Sequence, residues 1–261
     1  MILLVFEGQK REPKLFDMIK DLGIFPGNHI VCSFCSDIQS LYKRVKKKEK
    51  GMAGTADVVQ LLLDMDRVDT TELVKHNIAS SYDVEEIYLF FDCDLHNTRF
   101  SLRAQLLRIR ELLTMFNNAT GNGKLYISYP MIEAIRYTET LPDRHFCCYT
   151  FPISRGKKFK HECAKFSKYP SFEFQVAQGS NKVNTLSFGW SYLIRQHRSK
   201  AQRLCRVSAR EPLSQSELFR IQCEKFIIPR REVSILASMP LFLYDYFKEE
   251  KRKELGFSLE E

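Results

Sequence analysis

The sequence predicts an α/β fold: a parallel sheet flanked by helices, followed by a mostly helical C-terminal region. Three observations carry that prediction. Short apolar runs alternate with amphipathic stretches through the first half, the rhythm of strand–helix–strand units. Two of those runs end abruptly in acid, at Glu7 and at Asp92 and Asp94. Beyond residue 140 the strand rhythm gives way to long amphipathic stretches. The 261 residues are 44% hydrophobic, enough for one large domain or two small ones, and 20 Phe with 11 Tyr exclude wholesale disorder. Residues 1–140 form the expected α/β domain, with a basic helical insertion at 42–86. Residues 141–261 form a helical layer expected to pack on it, since no repeat and no Gly/Ser-rich linker separates the two.

Ile2–Phe6 is a continuous apolar run, as in a strand covered on both faces. Pro13 then sits where a first helical turn belongs, Leu15, Phe16, Ile19 and Leu22 recur at helical spacing, and Gly23 ends the element. Residues 29–34 read as a second strand, and 37–45 as a helix that breaks into a lysine cluster. Residues 58–65 and 72–78 are helical pieces, and 87–91 is another apolar strand. A helix at 101–116 places Leu102, Leu106, Ile109 and Leu113 on one side; a strand at 124–129 closes at Pro130. Later, 145–153 reads as an extended edge, and 183–207, 215–226 and 233–254 as helical stretches. The apolar 235–247 stretch is read as a core helix, with a protein interface as the alternative. Gly121-Asn122-Gly123-Lys124 precedes a strand and is a turn, not a phosphate loop.

The formal net charge of +8 favours anionic partners, nucleic acid first. No apolar run reaches the roughly 18–20 residues that cross a bilayer, and the apolar N-terminus stops at Glu7 without a basic leader, so a soluble, cytoplasmic protein without membrane association is expected. Eight scattered cysteines fit a reducing compartment. Cys32-Ser-Phe-Cys35 has zinc-ligand spacing but no second pair follows, and only His161 and Cys163 are conceivable recruits, so buried structural thiols are the better reading. Neither a glycine-rich nucleotide fingerprint nor a Gly-x-Ser-x-Gly elbow is present.

Functional groups of an open parallel sheet collect beyond the C-terminal ends of its strands. Asp92 and Asp94 are two apart and point the same way on extended backbone. If their strand neighbours that of Glu7, three carboxylates meet on one rim. Such a cluster repels itself unless a hard divalent cation sits within it, and Mg²⁺ or Mn²⁺, with few carboxylates and phosphate oxygens from a substrate, suits it. The plain alternative is that these acids cap helices or make turns. His96, beside the acidic pair, is most simply a polar turn residue.

Val5-Phe6-Glu7-Gly8, followed after intervening helices by Tyr88-Leu89-Phe90-Phe91-Asp92-Cys93-Asp94, resembles a Toprim domain over residues 1 to about 135. Glu7-Gly8-Gln9-Lys10-Arg11-Glu12-Pro13 with Phe16 resembles the opening of RloB-like Toprim proteins. Tyr126-Ile127-Ser128-Tyr129-Pro130-Met131-Ile132-Glu133 resembles the later element of the RloB and OLD-nuclease groups. The resemblance implies a metal-dependent nuclease in which Glu7 is metal ligand or general base, Asp92 and Asp94 hold Mg²⁺ or Mn²⁺, and Glu12 and Glu133 are additional acids. It also implies a bacterial anti-phage effector of the PARIS type, held in check by a regulatory protein. With no ATPase motif in the chain, an ATPase sensor would be a separate partner. Two departures stand out. The glycine that often follows the acidic pair is missing from Leu95-His96-Asn97, and residues 42–86 carry more helix and lysine than a minimal unit. A primase or topoisomerase fragment is disfavoured, since the chain has neither a zinc module nor a strand-passage tyrosine domain.

Three basic clusters address the substrate. Residues 43–50 (including Lys46, Lys47 and Lys48) carry +5, residues 155–168 (including Lys157, Lys158 and Lys160) +5, and residues 195–210 (Arg195, Arg198, Lys200, Arg203, Arg206, Arg210) +6. Together these are twice the net charge, so the rest of the chain is acidic. The arginines fall at helical spacing, a stripe suited to a phosphate backbone or a plain solvated face. Phe159, Phe166, Tyr169 and Phe172 interleave the second cluster, as core residues or as base-stacking rings. Lys10 and the Lys157/Lys158/Lys160 group are the two supplies of a lysine to neutralise a phosphate oxygen. The leading expectation is an endonuclease acting on nucleic acid, RNA such as tRNA or DNA. The alternative is a non-catalytic nucleic-acid-binding or complex-forming module. Homo-oligomerisation stays open.

Overall fold

The computed structural model describes residues 1–51, 57–96, 99–168, 171–174, 177–178, 185–186, 188–208 and 211–259. Asn97, Tyr169, Val183 and Arg210 lie outside them. The fold is α/β, built on a five-stranded, mostly parallel sheet flanked by helices.

Two compact units divide the chain. The first comprises Met1–Lys14, Pro26–Asp92 and Asn97–Tyr126; the second comprises Leu15–Phe25, Cys93–His96 and Ile127–Glu261. The division thus falls at Tyr126, earlier than residue 140, and the second unit also takes in Leu15–Phe25 and Cys93–His96.

The sheet contains β1 (Ile2–Phe6), β2 (His29–Ser33), β3 (Glu86–Asp92), β4 (Asn117–Asn118) and β5 (Gly123–Ser128) in the order β2-β1-β3-β5-β4. β1 pairs in parallel with β2 on one side, Ile2 opposite His29, and with β3 on the other, Ile2 opposite Glu86. Every residue of β1 is buried, as its unbroken apolar run requires. Between β1 and β2 runs α1 (Arg11–Lys20), whose Leu15, Phe16 and Ile19 are buried; Gly23, at φ +68°, turns the chain after it. Between β2 and β3 come α2 (Ile38–Gly51), α3 (Val58–Leu63) and α4 (Thr71–Lys75). α2 does not break at the lysines. Lysine is a good helix former, Leu41 and Val45 anchor the inner face, and Lys46 pairs with Glu49 at 3.0 Å and Glu111 at 3.1 Å. Glu111 lies on α5 (Leu102–Met115), which Ser101 caps by accepting from the Ala104 N–H at 3.2 Å.

In the second unit, the expected extended edge at 145–153 is a 3₁₀ turn at Phe146–Cys148 followed by a short strand, β6 (Thr150–Pro152). α6 (Phe159–Phe166) follows, then the two-residue strands β7 (Ala177–Gln178) and β8 (Thr185–Leu186). α7 (Phe188–Cys205) and α8 (Gln215–Gln222) come next, and a π-helical turn at Cys223–Ile227 joins α8 to α9 (Ile228–Arg230). The 233–254 stretch is not all helix. It opens with β9 (Glu232–Ser234), antiparallel to β6, and continues as α10 (Ser238–Tyr246) and α11 (Glu249–Glu254). Gln222 fixes β9 from the side, donating to the Ser234 carbonyl at 2.7 Å and accepting its N–H at 2.9 Å. Residues 238–244 are all buried, which makes α10 a core helix. It packs beside α7 through an ion pair between Arg198 and Asp245 at 3.1 Å and through the Ala237 N–H, which donates to Nδ1 of His197 at 3.0 Å. No described helix is long and apolar enough to cross a membrane.

Candidate active site at the strand ends

Chain order reverses between β1 and β3. β2 lies on one side of β1, and the chain returns to build β3 on the other. The crevice beyond such a reversal is where open α/β sheets bind ligands. Glu7 and Asp92 stand there, one residue past β1 and at the last residue of β3. The pairing continues one step beyond β1, because the Glu7 N–H donates to the Phe90 carbonyl at 2.9 Å and the Cys35 N–H donates to the Glu7 carbonyl at 3.0 Å. That ladder aims the side chain across the rim. Oε2 of Glu7 accepts the backbone N–H of Asp92 at 2.9 Å. Both acids are half-buried.

Gly8 is the residue the site can least afford to change. A Cβ placed on it would lie 2.7 Å from Oε2 of Glu12 and 3.2 Å from Oε1. The carboxylate of Glu12, itself buried in the first turn of α1, therefore rests on the bare backbone of Gly8. The first unit thus sets Glu7 against Asp92, and Glu12 against Gly8. Lys10 is exposed.

Burial alternates past the end of β3. Phe91, Cys93 and Leu95 are buried while Asp92, Asp94 and His96 are partly exposed. In the second unit, the Cys93 N–H donates to the Ser128 carbonyl at 2.8 Å, and Oδ1 of Asp94 contacts Nδ1 of His96. Proximity in the chain is the one local hint of this pairing. Asp94 and His96 line a small pocket, about 10 Å³, with Pro130, Pro152, Ile153 and Gly156. Glu133 is buried, 3.5 Å from Nζ of Lys160. Among the described residues, no three His, Cys, Asp or Glu side chains are grouped to hold a metal ion.

The basic clusters separate by burial. In the first, Lys46 is paired as above, Lys48 pairs with Asp64, and Lys47 is exposed. In the second, Lys157, Lys158 and Lys160 are exposed. The third does not form a solvent-facing stripe. Arg198 is 2% exposed, and besides Asp245 it donates to the Glu211 carbonyl at 2.6 Å. Lys200, 1% exposed, donates to the carbonyls of Phe146 at 3.1 Å and Tyr149 at 2.7 Å. Arg195 lies over the Tyr192 ring, and Arg203, exposed, donates to the Cys147 sulfur at 3.4 Å. Helical spacing alone does not distinguish a solvated face from a polar core, so Arg198 is removed from the substrate-contacting set. Phe159 and Phe172 are buried, and Phe166 stacks on Tyr137 with ring centroids 4.4 Å apart, so these rings serve the core.

Cys32 and Cys35 bind backbone, not each other: the Cys32 thiol faces the Asp69 carbonyl, and burial, then Asp69, pushes its pKa up to about 12. Comparison with protein-family models, characterised proteins and solved structures finds no match for this chain.

Proposed function

We propose that the chain is a divalent-metal-dependent, Toprim-like nuclease that hydrolyses phosphodiester bonds of RNA or DNA. One observation carries the reading: Glu7 and Asp92 end the two adjacent parallel strands at which the sheet reverses order, and they are tied to each other by a hydrogen bond. The donor chemistry fits a hard cation, because Mg²⁺ takes one or two protein carboxylates and fills the remaining positions with water and phosphate oxygen. Glu7 and Asp92 would hold it. Bound there, the ion would supply a Lewis acid for the phosphoryl oxygens and lower the pKa of a water. The residues of the chain do the rest. The Asp92 N–H holds the Glu7 carboxylate, Glu12 supports the Gly8 backbone that follows Glu7, and the exposed Lys10 offsets charge on the phosphate. A regulatory protein that restrains the nuclease belongs to the same proposal.

The formal net charge of +8 would serve equally a second reading, a non-catalytic nucleic-acid-binding module on the same fold. One experiment separates the two. The wild-type chain, Glu7→Gln and Asp92→Asn are incubated with Mg²⁺ or Mn²⁺ and with tRNA, single-stranded DNA and duplex DNA. The nuclease reading expects cleavage by the wild type that chelation stops and both substitutions abolish. Cleavage unchanged in both variants, or salt-sensitive binding without any turnover, overturns it.

A further inference from the structure

We infer that one surface, the exposed face of α6 with the turn before it, receives the phosphodiester backbone of a nucleic acid; the inference rests on the reading above for its substrate class. Sequence alone ranks the three basic clusters about equally; burial and ion pairs thin each of them, and position beside Asp94 singles out the second. In the third, Arg198 and Lys200 are buried and hold backbone carbonyls, while Arg203 and Arg206 stay exposed. In the first, Lys46 and Lys48 are neutralised by Glu49, Glu111 and Asp64, while Lys43, Arg44 and Lys47 stay exposed. In the second, Arg155, Lys160 and Lys168 pair with Glu162, Glu133 and Glu139. Lys157, Lys158 and Lys165 are exposed and make no ion pair among the described residues.

The arrangement follows from helix geometry. Phe159, Cys163 and Phe166 lie at i, i+4 and i+7 and turn inward, with Phe159 and Cys163 wholly buried. His161 and Lys165 lie at i and i+4 on another face and are exposed. Eight residues of helix extend about 12 Å, the rise of three to four nucleotides at about 3.4 Å each. The face also adjoins Asp94, one of the acids that the sequence singles out. The turn Ile153–Lys158 brings Gly156 against His96, so closely that a Cβ on Gly156 would lie 3.2 Å from Nδ1. That same nitrogen contacts Asp94. Lysines that start one residue beyond Gly156 therefore flank the loop that carries Asp94.

The test measures binding of the full chain to fluorescein-labelled 30-residue oligonucleotides (single-stranded RNA, single-stranded DNA and duplex DNA) in EDTA, across a salt series. The triple variant Lys157→Glu, Lys158→Glu, Lys165→Glu is expected to bind its preferred strand at least tenfold more weakly, with a salt slope shallower by about two to three. The control Arg44→Glu, Lys47→Glu, on the first cluster, is expected to stay within about twofold of wild type. Binding unaltered in the triple variant, or lost equally in the control, overturns the inference, as does a wild-type chain that binds none of the three strands. Failure here is distinguishable from failure of the nuclease reading. A wild type that binds through these lysines but never cleaves with Mg²⁺ sinks the nuclease and keeps the interface. Cleavage with unchanged binding in the triple variant does the reverse.

Discussion

The carboxylate of Glu7 accepts the backbone N–H of Asp92 across 2.9 Å, joining the ends of two adjacent parallel strands. This contact gives Glu7 a structural duty beside any chemical one, and the two are separable by substitution. Glu7→Gln retains an acceptor oxygen, so unfolding free energy should change by less than about 1 kcal/mol, whereas Glu7→Ala leaves the Asp92 N–H to water and should cost about 1 kcal/mol. Both should lose metal-dependent cleavage by at least about 100-fold, equivalent to roughly 2.7 kcal/mol of barrier. Denaturant unfolding alongside single-turnover cleavage checks this. Activity retained in Glu7→Gln would reduce Glu7 to a strand-end fastener.

Gly8→Ala inserts a methyl group 2.7 Å from Oε2 of Glu12. Because the Glu12 side chain is buried, it has little room to retreat, and a loss of about 1–3 kcal/mol is expected. The clash has a single named partner. Glu12→Ala should therefore rescue Gly8→Ala, with a coupling above about 0.5 kcal/mol in a double-mutant cycle. Additive effects would show that Gly8 matters for some other reason.

Apolar runs and turn residues are local signals, which is why β1, β2, β3 and β5 were legible in sequence to within a residue or two. So were the acid-terminated strands, since Glu7 and Asp92 break runs of buried residues. The lysine-rich end of α2 was misread because its stabilising partner, Glu111, is far away in the chain. Arg198 failed for the same reason. Its neighbours look like a solvated helix face, and Asp245, which makes burial tolerable, lies 47 residues downstream. The contact of Glu12 with Gly8 and that of His96 with Gly156 were invisible because glycine carries no pattern of its own. Only the packed structure shows what a side chain there would meet.

Two buried bases on α7 set the response to pH. Burial pushes the Lys200 ammonium pKa down to about 7, with the Cys147 and Cys148 thiols pulling it partly back, and burial, then Lys200, holds His197 well below its ordinary value. In both cases the unfolded chain binds a proton that the folded chain does not, so stability rises with pH. For His197 the window lies below about pH 6.5, and for Lys200 it runs upward from about 7. The thiols act in the opposite sense. Burial raises Cys163 to about 12 and Cys205 to about 11, so their ionisation in the unfolded chain lowers stability above about pH 8.5. Stability should therefore climb from pH 5 to about 8 and then fall. Lys200→Met should flatten the pH 7–8 limb, whose slope for one proton is at most about 1.4 kcal/mol per pH unit. An unchanged slope in chemical denaturation would mean that Lys200 keeps its proton in the fold.

Arg198 offers a contrast with the lysines of α6. Its guanidinium meets Asp245 at 3.1 Å and the Glu211 carbonyl at 2.6 Å, and it lies over the Tyr244 ring at 4.7 Å. Its net contribution is small relative to an apolar replacement of the whole group, because desolvation offsets the attraction. Removing one partner is another matter, since the Asp245 side chain is only 11% exposed and would be left charged without its cation. Arg198→Met should thus cost about 3–5 kcal/mol, and Arg198→Met with Asp245→Leu should recover part of that loss. At a temperature where the single variant remains folded, its affinity for nucleic acid and its salt slope should match wild type. A shallower salt slope in folded Arg198→Met would return this arginine to the phosphate-binding surface from which its burial removes it.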